Sequence, residues 1–203
     1  MTAIIDYGVG NLFSLACSLK AIGADCEVTD SAERIRSADR VILPGVGAFG
    51  DAQKKLFSSG LGQAALDQAQ KGVPLLGICV GMQLLFDRSL EFGSFPGLGL
   101  IPGEVRFIGE TISPGLKIPQ IGWNALSVRK QHPLFKYIHD GDYVYFVHSY
   151  HAVTPKEYVI ADTDYGGTLT GAVARGNVIG CQFHPEKSGE VGLNILRSFL
   201  EMR

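Results

Sequence analysis

Three short apolar runs, each ending in a glycine-rich turn, limit how this chain can fold more than any other feature. Ala3-Ile4-Ile5 leads into Asp6-Tyr7-Gly8-Val9-Gly10-Asn11, and Val41-Ile42-Leu43 ends at Pro44-Gly45-Val46-Gly47. The third, Pro74-Leu75-Leu76-Gly77-Ile78-Cys79, leads into Met82-Gln83-Leu84-Leu85-Phe86. After the first run, Leu12, Leu15, Ala16, Leu19 and Ile22 recur at helical spacing, and Gly23 follows as a stop. Runs apolar on both faces, alternating with helical segments, predict an α/β architecture with a mostly parallel sheet covered by helices. Ligands in such sheets sit at the carboxyl ends of the strands, so the glycine turns are where chemistry is expected.

The second half reads differently. Glu104-Val105-Arg106-Phe107, Trp123 to Val128 and Tyr143 to Val147 are strand-like. Leu169 to Arg175 and Val178 to Phe183 flank Gly176-Asn177, a two-residue hairpin turn, which adds an antiparallel portion. A last helix is expected with Val191, Ile195, Phe199 and Met202 on one face. There is no repeat, low-complexity tract or linker, so residues 1–203 are expected to form one domain.

Lys plus Arg number 18 against 20 Asp plus Glu, a near-balance that gives no electrostatic reason to expect nucleic acid or an anionic membrane as partner. No basic segment followed by a long apolar run opens the chain, and no stretch approaches the roughly 20 apolar residues that span a bilayer. Cys17, Cys26, Cys79 and Cys181 are scattered without a CxxC pair, which predicts free thiols and a cytoplasmic protein.

Gly77-Ile78-Cys79-Val80-Gly81 is G-x-C-x-G at a strand-to-helix turn, the thiol counterpart of a nucleophile elbow. The glycines let backbones pass closely. The helix N-terminus favours a thiolate, and the Val80 N–H is aimed where an oxyanion would form. A small buried hydrophobe ending a core strand would give Cys79 the same local setting. A thiol nucleophile needs a base, and the base an orienting group. His184-Pro185-Glu186 supplies both: proline keeps His184 extended, and in an extended chain residues two apart face one side. A surface turn with a solvated Glu is the plainer account of the same tripeptide. His132, His139, His148 and His151 lack a carboxylate two residues on. The Cys181-x-x-His184 spacing has no second ligand pair, so no metal is expected. No phosphate loop or dinucleotide fingerprint occurs, so no cofactor is expected either.

With these residues in place the chain resembles the class I, triad-type glutamine amidotransferases, in Gly77 to Gln83 (G-x-C-x-G-x-Q) and in Gln182-Phe183-His184-Pro185-Glu186. Within that class it is similar to the glutaminase subunits of imidazole glycerol phosphate synthases. Asp6 to Leu12, Pro44 to Phe49, Pro119 to Asn124 and Phe146 to Tyr150 carry that likeness over nearly the whole length. The resemblance implies a flavodoxin-like fold and a Cys79-His184-Glu186 triad that hydrolyses L-glutamine through a glutamyl thioester. It implies an oxyanion site at Val80 with the Val46-Gly47 turn, and substrate contacts at Gln83, Glu91, Ser149 and Tyr150. It also implies a heterodimer with a (β/α)8-barrel cyclase that receives the ammonia in histidine biosynthesis, with Trp123 and Lys187 near the docking face. Trp123 could equally be a core residue. Val80 stands where Leu is common, and His151 where an aromatic is frequent, placing a titratable ring near the site. A glutaminase serving another synthase, such as that for anthranilate or pyridoxal phosphate, and a non-catalytic redox-sensing module are the competing readings. Intact His184 and Glu186 argue against the sensor.

Overall fold

The computed structural model describes residues 1–202. Its first half runs β1 (Thr2–Ile5), α1 (Leu12–Ala21), β2 (Cys26–Thr29), α2 (Ala32–Arg36), β3 (Arg40–Leu43), α3 (Phe49–Ser58), α4 (Leu61–Gln70), β4 (Leu75–Ile78) and the single turn α5 (Val80–Gln83). Strands then dominate: β5 (Phe86–Ser89), β6 (Phe95–Pro96), β7 (Ile101–Phe107), β8 (Gln120–Ala125), β9 (Ser127–Val128), β10 (Tyr143–His148) and β11 (Tyr150–Val153). The long β12 (Val159–Asp164) and β13 (Thr168–Arg175) precede β14 (Val178–Cys181) and the helix α6 (Gly189–Leu200).

Eight strands form the main sheet, in the order β2-β1-β3-β4-β14-β13-β12-β9. Pairing is parallel from β2 to β14 and antiparallel from β14 to β9. The apolar runs become its centre: β1, β4 and β14 are buried at every position, as parallel strands covered on both faces must be. Each fully buried aliphatic side chain contributes roughly 1.5–3 kcal/mol, so this centre anchors the fold. Helix α1 packs on α6, while α2 and α3 both pack on α4. Two smaller sheets sit beside the main one, a four-stranded β11-β7-β5-β6 and a two-stranded β10-β8. No helix among the described residues is long and apolar enough to cross a membrane.

Four details depart from the expectations. The helix after Cys79 is one turn only, and Phe86 starts a strand rather than extending that helix. The Trp123 to Val128 strand breaks at Leu126, whose N–H donates to Asp142 and whose carbonyl accepts from Gly141. That turn takes the backbone away from β10, and β9 then joins β12. Strand β14 stops at Cys181, because the His184 N–H leaves the sheet to bond the Tyr145 carbonyl at 2.9 Å. Helix α6 ends at Leu200 and buries Gly192, Ile195, Leu196, Ser198 and Phe199, whereas Val191 and Met202 are half-buried against the core.

Candidate active site

Parallel strands bring their carboxyl ends to one edge. There the turns after β1 (Asp6 to Asn11), β3 (Pro44 to Gly47), β4 (Cys79) and β14 (Gln182 to Glu186) meet. Cys79 is tied to the sheet by its N–H to Cys181 O at 2.8 Å, and then turns sharply at φ 55°, ψ −113°. A side chain at positive φ costs about 1–3 kcal/mol and persists only where its surroundings enforce it. Here glycines do so. A Cβ at Gly81 would lie 1.9 Å from Leu43 O, and one at Gly45 would lie 2.5 Å from Gly81 N. The ends of β3 and β4 therefore press against the turn with no room for a methyl group. Because α5 is one turn long, its dipole is far smaller than the helix expected there, and the local electrostatics fall to side chains and single N–H groups.

His184 sits at the start of a 3-10 turn, Pro185–Lys187. The pairing of His184 with Glu186 is thus correct in outcome but not in cause: the tight turn, not strand alternation, brings the carboxylate round. Nδ1 lies 2.8 Å from Glu186 Oε1, with both side chains buried. Cys79 lines the same cavity as this imidazole. Burial pulls the His184 pKa down, but the contacts with Cys79 and Glu186 outweigh it and hold the ring up at about 9. The Gln182 amide reaches the sulfur, Nε2 to Sγ at 3.6 Å.

A cavity of about 380 Å³ opens above the sulfur. Val46, Gly47, Val80, Gln83, Glu91, Ser149, Tyr150, Lys187 and His184 all line it, Glu186 stands behind His184, and of the expected site residues only Trp123 lies apart. The backbone N–H groups of Val46, Gly47 and Val80 make no hydrogen bond within the described residues. Gln83 and Glu91 are more engaged with the protein than expected. The Gln83 amide donates to Tyr150 O at 3.0 Å and to Gln182 Oε1 at 3.1 Å. Glu91 Oε2 accepts the Phe49 N–H at 2.7 Å, capping α3 in place of the apolar Ala48. Each keeps one oxygen for the cavity, and burial raises the Glu91 pKa. The Ser149 carbonyl accepts the Ile108 N–H at 2.9 Å, and the Tyr150 ring rests on Phe92 and Phe107.

Two residues without an assigned part belong here. Asn11 Nδ2 donates to Glu186 Oε1 at 3.3 Å, the oxygen that already serves His184, while Glu186 Oε2 is buried without a partner. Asn11 makes no cap bond to its own helix α1, so its side chain is committed to the carboxylate. His148, set aside for want of a neighbouring carboxylate, lines the cavity with Nδ1 2.9 Å from Tyr150 O and a buried, unpartnered Nε2. Burial lowers its pKa to about 4, so it is neutral. His151, one residue past Tyr150, faces a different cavity.

Trp123 is 59 % exposed and is no core residue. Its ring meets Tyr145 edge-on at 4.9 Å, and Lys187 Nζ stands 5.6 Å over that Tyr145 ring. Ile121 and Tyr143 are exposed on the same ribbon, so an apolar face lies beside the cavity mouth. Among the described residues no group of three or more His, Cys, Asp or Glu is placed to hold a metal ion.

A family model described as glutamine amidotransferase class-I matches residues 3–202. The chain is 48 % identical over 204 residues to imidazole glycerol phosphate synthase subunit HisH of Wolinella succinogenes, with 100 % of each covered. It is 50 % identical over 199 residues to the Bacillus cereus protein of that name, covering 98 % of this chain and 93 % of the relative. Among solved structures, one described as glutamine amidotransferase superposes with a TM-score of 0.75 at 20 % identity, covering 98 % and 97 %. PurLQS from Thermotoga maritima superposes with 0.74 at 21 % identity, covering 98 % and 96 %.

Proposed function

The chain belongs to the class-I glutamine amidotransferases, and from that premise we propose that it is the glutaminase subunit of an imidazole glycerol phosphate synthase. It hydrolyses L-glutamine to glutamate and ammonia and passes the ammonia to a cyclase for imidazole glycerol phosphate formation in histidine biosynthesis. One observation carries the reading: a strained cysteine lines, together with a buried histidine held by a carboxylate at 2.8 Å, the floor of a cavity of metabolite size.

The Cys79 thiol passes its proton to His184 as its sulfur attacks the side-chain amide carbon of glutamine, and the carbonyl electrons move onto oxygen. The unpaired N–H groups of Val80 and the Val46-Gly47 turn hold that oxyanion; one such donor is worth roughly 10²–10³ in rate. His184 gives its proton to the amide nitrogen, the C–N bond breaks, and ammonia leaves behind a glutamyl thioester. Water then adds with His184 as base, and glutamate departs as the thiol is restored. Glu186 keeps the imidazole oriented throughout. No cofactor enters. The remaining oxygens of Gln83 and Glu91, with the Ser149-Tyr150 backbone, receive the amino-acid end of the substrate.

The partner is a (β/α)8-barrel cyclase, with which the chain forms a heterodimer. The exposed Trp123 and Ile121, with Lys187 at the cavity rim, support docking of that partner over the mouth. We place the whole chain, as one domain, in the cytoplasm, where its free cysteines stay reduced. The test is a glutamate-release assay with and without the cyclase and its nucleotide substrate. Turnover should be low for the isolated chain, rise with the partner, and vanish in Cys79→Ser. Undiminished glutamine-dependent product from Cys79→Ser would refute the thioester.

A further inference from the structure

A second cavity, of about 700 Å³, lies between β11 of the four-stranded sheet and the antiparallel wing β12-β13. It is larger than the first, and within the roughly 300–1,000 Å³ that small-molecule sites occupy. Consecutive side chains of a strand point to opposite faces. On β11, Tyr150 lines the first cavity and His151 the second, so this one strand is the wall between them. No step of the glutaminase reaction uses the residues on the far side.

Their charges are not self-compensated. Arg129, Lys130 and Lys156 face one carboxylate, Asp162. Arg129 is neutralised by it, through two bonds of 2.5 and 2.9 Å. The Lys130 ammonium bonds only the Glu157 carbonyl, a neutral acceptor, and the Lys156 ammonium makes no hydrogen bond or ion pair among the described residues. Two lysine charges are left over.

Polar groups converge on the same space. The Thr168 and Thr170 hydroxyls donate to nothing among the described residues. His151 is 3 % exposed, with Nε2 on Thr111 Oγ1 at 3.2 Å and a buried Nδ1 without a partner. A buried unpaired polar atom costs about 1–3 kcal/mol, which makes it uncommon outside places where something else binds. Burial lowers the His151 pKa to about 4, so this ring offers a hydrogen bond rather than a charge. Strand β12 carries two register irregularities between Val159 and Asp162, where it forms the opposite wall. Bulges of this kind re-aim side chains beside binding sites.

We propose that this second cavity binds a small hydroxylated anion, a phosphate ester or a carboxylate, with Lys130 and Lys156 taking the charge and Thr168, Thr170 and His151 the hydroxyls. Lysine ammonium groups act as point charges that accept either kind of anion, so the two are separated by experiment. Calorimetric titrations of the intact chain use ribose 5-phosphate, gluconate and, as the uncharged control, ribose. Saturable binding of one of the anions and none of ribose is expected. Lys156→Ala, an exposed position outside the catalytic machinery, should weaken it about tenfold, as loss of a charge-assisted bond does. Thr170→Val, which keeps the shape of the side chain, should weaken it as well, and both variants should retain glutamine hydrolysis. The proposal is overturned if neither anion binds saturably up to about 10 mM, or if binding survives both substitutions unchanged.

Discussion

Glu186 Oε1 accepts from two donors, His184 Nδ1 at 2.8 Å and Asn11 Nδ2 at 3.3 Å, while Oε2 accepts from none. This asymmetry decides what Glu186→Gln does. With Asn11 present, the new amide places its oxygen where Oε1 was and its NH2 where Oε2 was. The reverse orientation would set NH2 against two other N–H groups, at about 1–3 kcal/mol for the donors left unpaired. His184 therefore keeps its proton on Nδ1 and loses only the charge of its partner. A charge-assisted bond is roughly twice as strong as a neutral one, so about 1.4 kcal/mol of support disappears. Turnover should fall roughly tenfold, and the His184 titration should move down by about one unit from its present value. Asn11→Ala alone keeps the carboxylate and should cost a few-fold at most. In Asn11→Ala/Glu186→Gln nothing opposes the flip. The amide NH2 then donates to Nδ1, the imidazole proton moves to Nε2, and the thiol faces a donor instead of a base. A wrong tautomer costs far more than a lost charge, on the order of 10³-fold or above. The double variant should thus fall well below the product of the singles, by a coupling near 2 kcal/mol against the ~0.5 kcal/mol scatter of additive pairs. Glutamate release with the cyclase present measures the rates, and ¹⁵N-histidine NMR reads the tautomer. A double variant within about threefold of the product of the singles, or one with the proton still on Nδ1, would refute the shared-oxygen argument.

Titration of three buried histidines predicts a maximum in stability. Burial holds His148 and His151 at about 4 in the folded state against the ordinary 6.5, so the unfolded chain takes up protons first as pH falls. Their contribution is complete above 6.5 and is lost towards 4. His184 is opposite, about 9 when folded, so its contribution is complete below 6.5 and is lost as pH rises through 9. Each is on the order of 3 kcal/mol, and urea midpoints between pH 4.5 and 9.5 should peak near 6.5–7; a midpoint that climbs steadily from 6.5 to 9 contradicts the assignment of His184. At Gly81 an added Cβ would meet Leu43 O at 1.9 Å. Gly81→Ala should cost about 3 kcal/mol or more and lower Tm by roughly 6–12 °C, with activity lost even where the fold survives; an unchanged Tm with full turnover would show that the turn can yield.

What could be read from the residues in order, and what could not, divides along a physical line. Ile4, Val41 and Leu76 announce central parallel strands because burial on both faces leaves a continuous apolar run, a signal contained within a few neighbours. Cys79 is legible for a similar reason: two of the glycines that make room for its turn, Gly77 and Gly81, lie two positions away. Asn11 on Glu186 and Glu91 on the Phe49 N–H are contacts across 175 and 42 residues. No periodicity reports them, since a polar side chain reaching a distant backbone looks like any surface polar residue. The helix expected after Cys79 is cut to one turn because Met82, Leu84 and Leu85 are apolar without period, being buried on every side rather than on one face. Strand β8 is the most informative case. The residues alone leave Trp123 open between core and docking face, whereas in the fold Gln120 is buried and Ile121 and Trp123 stand in water. An apolar face turned outward beside a cavity mouth raises the free energy of the isolated chain. Such a face is retained when another protein surface covers it in the working state. The exposed ribbon is thus a structural argument for a partner that does not depend on the relatives at all.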